Sequence, residues 1–211
     1  MLDIPKNLQK LSKIKFIDLF AGIGGFRIAL NSFNAECVFS SEIDKNAQKV
    51  YFENFKELPV GDITKVHEKD IPKHDILCGG FPCQAFSISG KQKGFNDTRG
   101  TLFFDIARIT NYHKPKLLIL ENVKNIIQHN DGNTLSTIIK TLEEIGYKVF
   151  YELLRGSHFG VPQHRERVFF ICFNKDLNIN NFKLSKPNFN HYSVKDILEK
   201  DPNLKDIVIN R

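Results

Sequence analysis

The chain has 211 residues, 41% of them hydrophobic and 26% charged, which supports one substantial folded domain and excludes a disordered chain. Its net charge of +6 permits a polyanionic partner such as nucleic acid without requiring one. No apolar run is long enough to span a bilayer, and the amino terminus has no signal-peptide core, so no membrane partner is expected.

Residues 1–13 are polar and read as a lead-in. Lys15 to Phe20 has the pattern of a strand, and Ala21-Gly22-Ile23-Gly24-Gly25 that of a turn. Phe26, Ala29, Leu30 and Phe33 then recur at helical spacing. A strand, a glycine turn and a helix make a nucleotide-binding βα unit, because glycines let the backbone approach a ligand and helix amides face it. The turn is neither G-x-G-x-x-G nor a Walker loop, so a pyrophosphate is disfavoured and a small zwitterionic or carboxylate-bearing ligand fits better.

The second unit runs from a strand at Cys37–Ser41 to a helix at Lys45–Phe55. Glu42 ends that strand, where a carboxylate can hold ribose hydroxyls; capping of the next helix is the alternative, and Asp44 is expected to do that. Gly61-Asp62-Ile63-Thr64 reads as a short third strand. Asp62 can accept from an adenine amino group or cap the following segment.

Asp75-Ile76-Leu77-Cys78 is a buried strand, stopped by Gly79-Gly80-Phe81-Pro82-Cys83-Gln84. Cys83 on the loop leaving a strand stands where α/β folds present reactive groups. It reads as a nucleophile; a small buried hydrophobe is the bland alternative. The four cysteines, Cys37, Cys78, Cys83 and Cys172, show no C-x-x-C pair and no zinc spacing. Reduced thiols in a cytoplasm, without metal or disulfide, are therefore expected.

Residues 87–99 carry three Lys or Arg, two Gly and two Ser without apolar period, the composition of a long loop suited to phosphate contacts. A helix is predicted over Thr101–Tyr112, with Leu102, Phe103, Ile106 and Ile109 on one face. The almost continuous apolar run Lys116–Val123 predicts a strand buried on both faces, ending on Glu121 at the same sheet edge as Cys83. A helix over Thr134–Ile145 with Gly146 as its cap follows, then strands over Lys148–Leu154 and Val168–Phe173. His164-Arg165-Glu166-Arg167 opens the last strand, with Arg165 and Arg167 on one face. They are either ordinary exposed charges or anchors for a polar ligand. Residues beyond Phe173 are rich in Asn and Lys and show only short apolar clusters.

Together these segments resemble the DNA cytosine-5 methyltransferases of bacterial restriction–modification systems. The resemblance runs from about Phe16 to Arg211. It covers the Phe16–Gly25 loop, Glu42, Gly61-Asp62-Ile63, Gly79–Gln84, Thr98–Phe103, Glu121-Asn122-Val123 and Gln163–Arg167, seven segments in the family's order. It implies an α/β Rossmann-like fold that binds S-adenosylmethionine, with a mostly parallel sheet, helices on both faces and an antiparallel last strand. It also implies double-stranded DNA as substrate. The methyl group would pass to carbon 5 of a flipped-out cytosine through a covalent bond to Cys83.

By the same resemblance Glu121, Arg165 and Arg167 serve catalysis. Phe20, Gly22, Gly24, Gly25, Glu42, Ile43, Asp62, Ile63, Pro82 and Leu102 line the cofactor pocket, and Gln84, Ser87, Ser89, Lys91 and Arg99 meet DNA. Position 43 is commonly an aromatic in the family; Ile43 keeps apolar contact with adenine but loses stacking.

The implied organisation is a catalytic and cofactor-binding domain over 14–175 and the start of an incomplete target-recognition region over 176–211. A second polypeptide carrying that region is an expected partner. A nicotinamide-dependent oxidoreductase would want the third glycine and has no use for Cys83 with Glu121 and Arg165. A transfer-RNA cytosine methyltransferase and a silent cofactor- or partner-binding remnant are the remaining alternatives.

Overall fold

The computed structural model describes residues 14–82, 102–184 and 193–198. Six strands, β1 (Lys15–Leu19), β2 (Glu36–Ser41), β3 (Ile76–Gly80), β4 (Leu117–Val123), β5 (Tyr147–Arg155) and β6 (Glu166–Asn174), form one sheet in the order β2-β1-β3-β4-β6-β5. The first four are mutually parallel, and β6 runs antiparallel to both β4 and β5. This is the predicted mostly parallel sheet with an antiparallel last strand. The reversal puts the carboxyl ends of β1 to β4 and the amino end of β6 on one edge, with Val123 paired to Arg167.

Five helices are described: α1 (Gly25–Asn31), α2 (Lys45–Phe55), α3 (Leu102–His113), α4 (Asn133–Glu144) and the short α5 (Val194–Ile197). Side chains alternate across each strand, so the sheet has two apolar faces to cover. Phe26 and Leu30 of α1 pack with Phe16, Ile76 and Cys78 on one face. Phe103, Ile106 and Ile109 of α3 and Leu135, Ile138 and Leu142 of α4 pack with Ile17, Leu19, Leu77, Leu118 and Leu120 on the other. Asp44 caps α2 as expected, accepting from the amides of Asn46 and Ala47 at 2.9 and 2.7 Å.

The predicted third strand at 61–64 is corrected. Val60 makes only an isolated parallel bridge to Ser41, and Ile63–Lys65 is a 3₁₀ turn. Asp62 is the cause: its Oδ1 accepts from the Thr64 amide at 3.1 Å and the Thr64 hydroxyl at 2.7 Å. A local side-chain bond of this kind competes with a sheet ladder.

Two buried groups tilt stability in opposite directions with pH. At the amino end of β3, His74 is buried against the His113 ring, 4.8 Å between centroids, with Nδ1 2.8 Å from the Pro72 carbonyl and Nε2 unpartnered among the described residues. Burial, aided by the neighbouring His113, lowers its pKa from 6.5 to about 4. The unfolded chain binds that proton more readily, so this contribution is intact at neutral pH and lost as pH falls through the window from 6.5 to about 4. Relative to wild type, His74→Phe should gain on the order of 3 kcal/mol across that window, measured by urea unfolding at each pH.

Asp18 on β1 is fully buried, and burial pushes its carboxyl up to about 8 against the pull of Arg27. The folded chain holds this proton more tightly, so the stability it confers is present at low pH and is lost as pH rises from about 4 to about 8. Asp18→Asn should therefore gain on wild type in the opposite direction.

Candidate active site

The glycine turn leaves β1 with three departures from ordinary backbone, at alternate residues. Phe20 has φ 55° and Gly22 φ 55°, both left-handed, and Gly24 follows at φ 94°. For Phe20 that conformation is uncommon and belongs to functional or tightly constrained sites. The turn is closed by a bond from the Gly24 amide to the Ala21 carbonyl, 2.8 Å, and is tied to β2 by the Ala21 amide on the Ser41 carbonyl, 2.9 Å.

Glu42 completes the tie. One oxygen accepts from the Gly22 amide and the other from the Asp44 amide, both at 2.8 Å. A carboxylate oxygen has a second lone pair, so Glu42 still has acceptor capacity for hydroxyl donors while it fixes the turn. Ile43 beside it is 66% exposed.

Beneath the turn is a clamp that sequence periodicity misses. Arg27, on α1, reads as a surface residue, yet it is buried. Its guanidinium makes a forked ion pair with Glu57 at 2.6 and 2.8 Å, meets the Tyr51 hydroxyl at 3.2 Å and lies 5.0 Å from the Phe55 ring centroid. The partners are 24 to 30 residues away, so no local pattern announces them. Phe55 in turn fills the space beside Gly24, where a Cβ would come within 2.2 Å of its ring.

The reactive edge is formed by β3, β4 and β6. Gly80 pairs with Glu121 in register, and Glu121 Oε2 lies 3.4 Å from where a Gly80 Cβ would stand. Across the β4–β6 pair, Arg167 Nε donates to Glu121 Oε1 at 2.7 Å, a charge-assisted bond that aims the carboxylate. Glu121, Leu154, Phe159, Arg165, Arg167 and Phe169 line a pocket of about 310 Å³. Its floor is apolar and aromatic and its charged groups are one carboxylate and the three guanidiniums of Arg155, Arg165 and Arg167, chemistry that suits a planar heteroaromatic ring.

Glu166, between the two arginines, turns the other way. It accepts from Lys124 at 2.8 Å and Arg155 at 2.7 Å, and these two cations hold its carboxyl below the usual range. Arg165 and Arg167 thus both reach the pocket, although Arg165 precedes β6 and only Arg167 belongs to it.

The other expected residues are distributed as follows. Asp62 caps its 3₁₀ turn, Ile63 is buried in the main core, Pro82 is exposed, and Leu102 is half-buried at the start of α3. Gly25 is the first residue of α1. Cys83, Gln84, Ser87, Ser89, Lys91 and Arg99 lie outside the described residues. Among the described residues no group of three or more His, Cys, Asp or Glu could hold a metal ion, and no helix is long and apolar enough to cross a membrane.

The residues at the glycine turn fit a sulfonium methyl donor bearing adenosine and a methionine tail. Glu42 offers an acceptor for ribose hydroxyls, Ile43 an exposed apolar surface, and the turn a close backbone approach. Fold and site together define the Rossmann-like fold shared by S-adenosylmethionine-dependent methyltransferases. The comparisons narrow the class. The family model for C-5 cytosine-specific DNA methylase matches residues 14–211, and the chain belongs to that family.

The type II methyltransferase M.HhaI of Haemophilus parahaemolyticus is 57% identical over 203 residues, covering 96% of this chain and 62% of that protein. M.HpaII of Haemophilus parainfluenzae is 52% identical over 204 residues, covering 95% and 57%. Among solved structures, a DNMT2 variant from Spodoptera frugiperda superposes with a TM-score of 0.72 at 26% identity, covering 92% of this chain and 62% of that one. The chain therefore spans 62% and 57% of the length of these two curated relatives.

Proposed function

We propose that the chain is the catalytic part of a DNA (cytosine-5)-methyltransferase of a bacterial, cytoplasmic restriction–modification system. The observation that carries this reading is the Glu121–Arg167 pair at 2.7 Å, on the edge where β3 delivers the chain toward Cys83. When bound at the glycine turn, S-adenosylmethionine supplies the methyl group. Phe20, Gly22, Gly24, Gly25, Glu42, Ile43, Asp62, Ile63, Pro82 and Leu102 would hold it.

The chemistry follows from what cytosine lacks. Carbon 5 is a poor nucleophile until ring aromaticity is broken. The Cys83 thiolate bonds to carbon 6, and the displaced electron pair moves into the ring toward nitrogen 3 and the exocyclic oxygen. Glu121 shares a proton with nitrogen 3, while Arg165 holds the oxygen and Arg167 holds Glu121. Carbon 5, now enamine-like, takes the methyl group. Loss of the carbon 5 proton and expulsion of the sulfur restore the ring.

A base in a duplex is out of reach, so the cytosine must be extruded, at a cost of a few kcal/mol. Closure of residues 87–99 over it, with Gln84, Ser87, Ser89, Lys91 and Arg99 on the backbone, would offset that cost.

Around the glycine turn Ile23, Ile28 and Ile43 are 57%, 58% and 66% exposed. Such apolar exposure supports a further segment covering this side, along with target recognition, carried on this polypeptide or a second one. The 211-residue chain alone should then transfer little or no methyl label from S-adenosylmethionine to duplex DNA. Adding a polypeptide that supplies the remaining length of the relatives should restore 5-methylcytosine in the product. Robust sequence-specific methylation by the chain alone would refute the need for that part, and failure of the reconstituted pair on every cytosine-containing duplex would refute the activity.

A further inference from the structure

The segment that carries Asp62 is held at both ends. At its start the Val60 amide donates to the Ser40 carbonyl at 2.9 Å, and the Val60 carbonyl accepts from the Glu42 amide at 2.8 Å. These bonds set the Asp62 turn beside the carboxylate that offers itself to ribose hydroxyls. The other end is held from α3. Arg108 donates through Nη2 to the Ile63 carbonyl at 2.8 Å, through Nη1 to Glu68 at 3.2 Å and through Nε to Asp105 at 2.9 Å. Further along the helix, His113 Nε2 lies 2.8 Å from the Glu68 carbonyl.

The Ile63 carbonyl is also the acceptor that closes the 3₁₀ turn, taking the Val66 amide at 3.1 Å. A carbonyl oxygen has two lone pairs, and Arg108 fills the second. Asp62, at the head of that turn, has Oδ1 committed to Thr64. Its Oδ2 lies 3.7 Å from Nζ of the exposed Lys65 and keeps acceptor capacity for a ligand donor. An ion pair serving α3 alone would need only Asp105. Two of the guanidinium's bonds leave the helix instead, one of them for a backbone carbonyl 45 residues earlier. A planar fork holding three acceptors in fixed directions fixes the turn as well as pairing charge.

We infer that Arg108 is a positioning residue: by tying the Ile63 carbonyl and Glu68 to α3, it holds the Asp62 carboxylate where the amino group of the cofactor's adenine can donate to it. This rests on the reading of Asp62 as the adenine acceptor. Without the tie the turn shifts, and the hydrogen bond that distinguishes adenine from other purines is lost. The ribose and methionine parts, held at Glu42 and the glycine turn, keep their contacts.

Equilibrium dialysis of the 211-residue chain against two ligands tests this without DNA and without turnover. One is S-adenosylhomocysteine. The other is S-inosylhomocysteine, the same molecule with the adenine amino group replaced by a carbonyl oxygen. Wild type should prefer the first by at least about tenfold, the worth of one hydrogen bond to a carboxylate. Asp62→Ala sets the benchmark, binding the two alike.

Arg108→Ala should also bind the two alike, with its affinity for S-inosylhomocysteine unchanged and circular dichroism confirming the fold. If that variant fails to fold, Arg108→Lys decides, since one ammonium cannot hold all three acceptors, and it too should lose the preference. A folded variant that keeps the preference, or that loses both ligands equally, overturns the positioning role of Arg108. A wild type that binds both ligands alike, or neither, overturns instead the adenine reading of Asp62.

Discussion

Glu121→Gln in the reconstituted enzyme should lower single-turnover methyl transfer by about 10²–10⁴-fold, the range over which a positioned proton donor acts. The substitution keeps the shape of the side chain and a hydrogen-bond acceptor for Arg167, whose Nε lies 2.7 Å from Glu121 Oε1. What it removes is the ability to share a proton with ring nitrogen 3 as negative charge collects there. Binding of DNA and of S-adenosylhomocysteine should be unchanged, because the loss falls on the transition state rather than the ground state. A loss below about tenfold would mean that Glu121 handles no proton in the slow step. Arg167→Lys should weaken transfer as well, since a point charge cannot reproduce the directed guanidinium bond.

Gly24→Ala should destabilise the fold and abolish binding of S-adenosylhomocysteine. Two terms add. The backbone at φ 94° costs a side-chain-bearing residue about 1–2 kcal/mol. The new Cβ would come within 2.2 Å of Phe55, and overpacking of this kind costs about 1–3 kcal/mol.

Phe55 has little room to yield, since its ring packs 4.6 Å from Tyr51 and 5.0 Å from the Arg27 guanidinium. Urea unfolding should give a combined loss of about 2–5 kcal/mol. In a Phe55→Ala background the same substitution should cost only the backbone term of about 1–2 kcal/mol. An undiminished penalty in that background would show that Phe55 does not set the shape of the turn.

These expectations draw on features that were unequally legible in the sequence. Where a local rule acts alone, the residues announce the structure. Asp44 caps α2, Gly146 takes φ 98° after α4, and the apolar run of β4 is a central strand. The carboxylate at Glu42 is legible as a site residue, but its bonds to the Gly22 and Asp44 amides are not, because they depend on where two chain segments meet.

The third strand fails for a comparable reason. Asp62 satisfies Thr64 locally, and that bond outcompetes pairing beyond the single bridge at Val60. Arg27 and Glu57 are illegible because an ion pair formed across 30 residues, with Arg27 buried and Glu57 exposed, looks, residue by residue, like two solvated charges.

The antiparallel β6 matters most to the site. It returns Arg167 to the end of β4, and so brings together groups that are 46 positions apart, Glu121 and Arg167. The pairing of a carboxylate with a guanidinium beside an aromatic-lined pocket is the part of the account that chemistry requires and topology supplies.

The central claim is that the sulfur of Cys83 bonds to carbon 6 of the target cytosine, and trapping tests it most directly. Duplex DNA carrying 5-fluorocytosine is incubated with the reconstituted enzyme and S-adenosylmethionine. Fluorine at carbon 5 cannot leave as a proton does, so the adduct persists and survives denaturation. Wild type should yield a protein–DNA conjugate whose crosslinked peptide contains Cys83, and Cys83→Ser should yield none. An equally abundant conjugate from Cys83→Ser, or a crosslink mapped to another residue, would contradict the account.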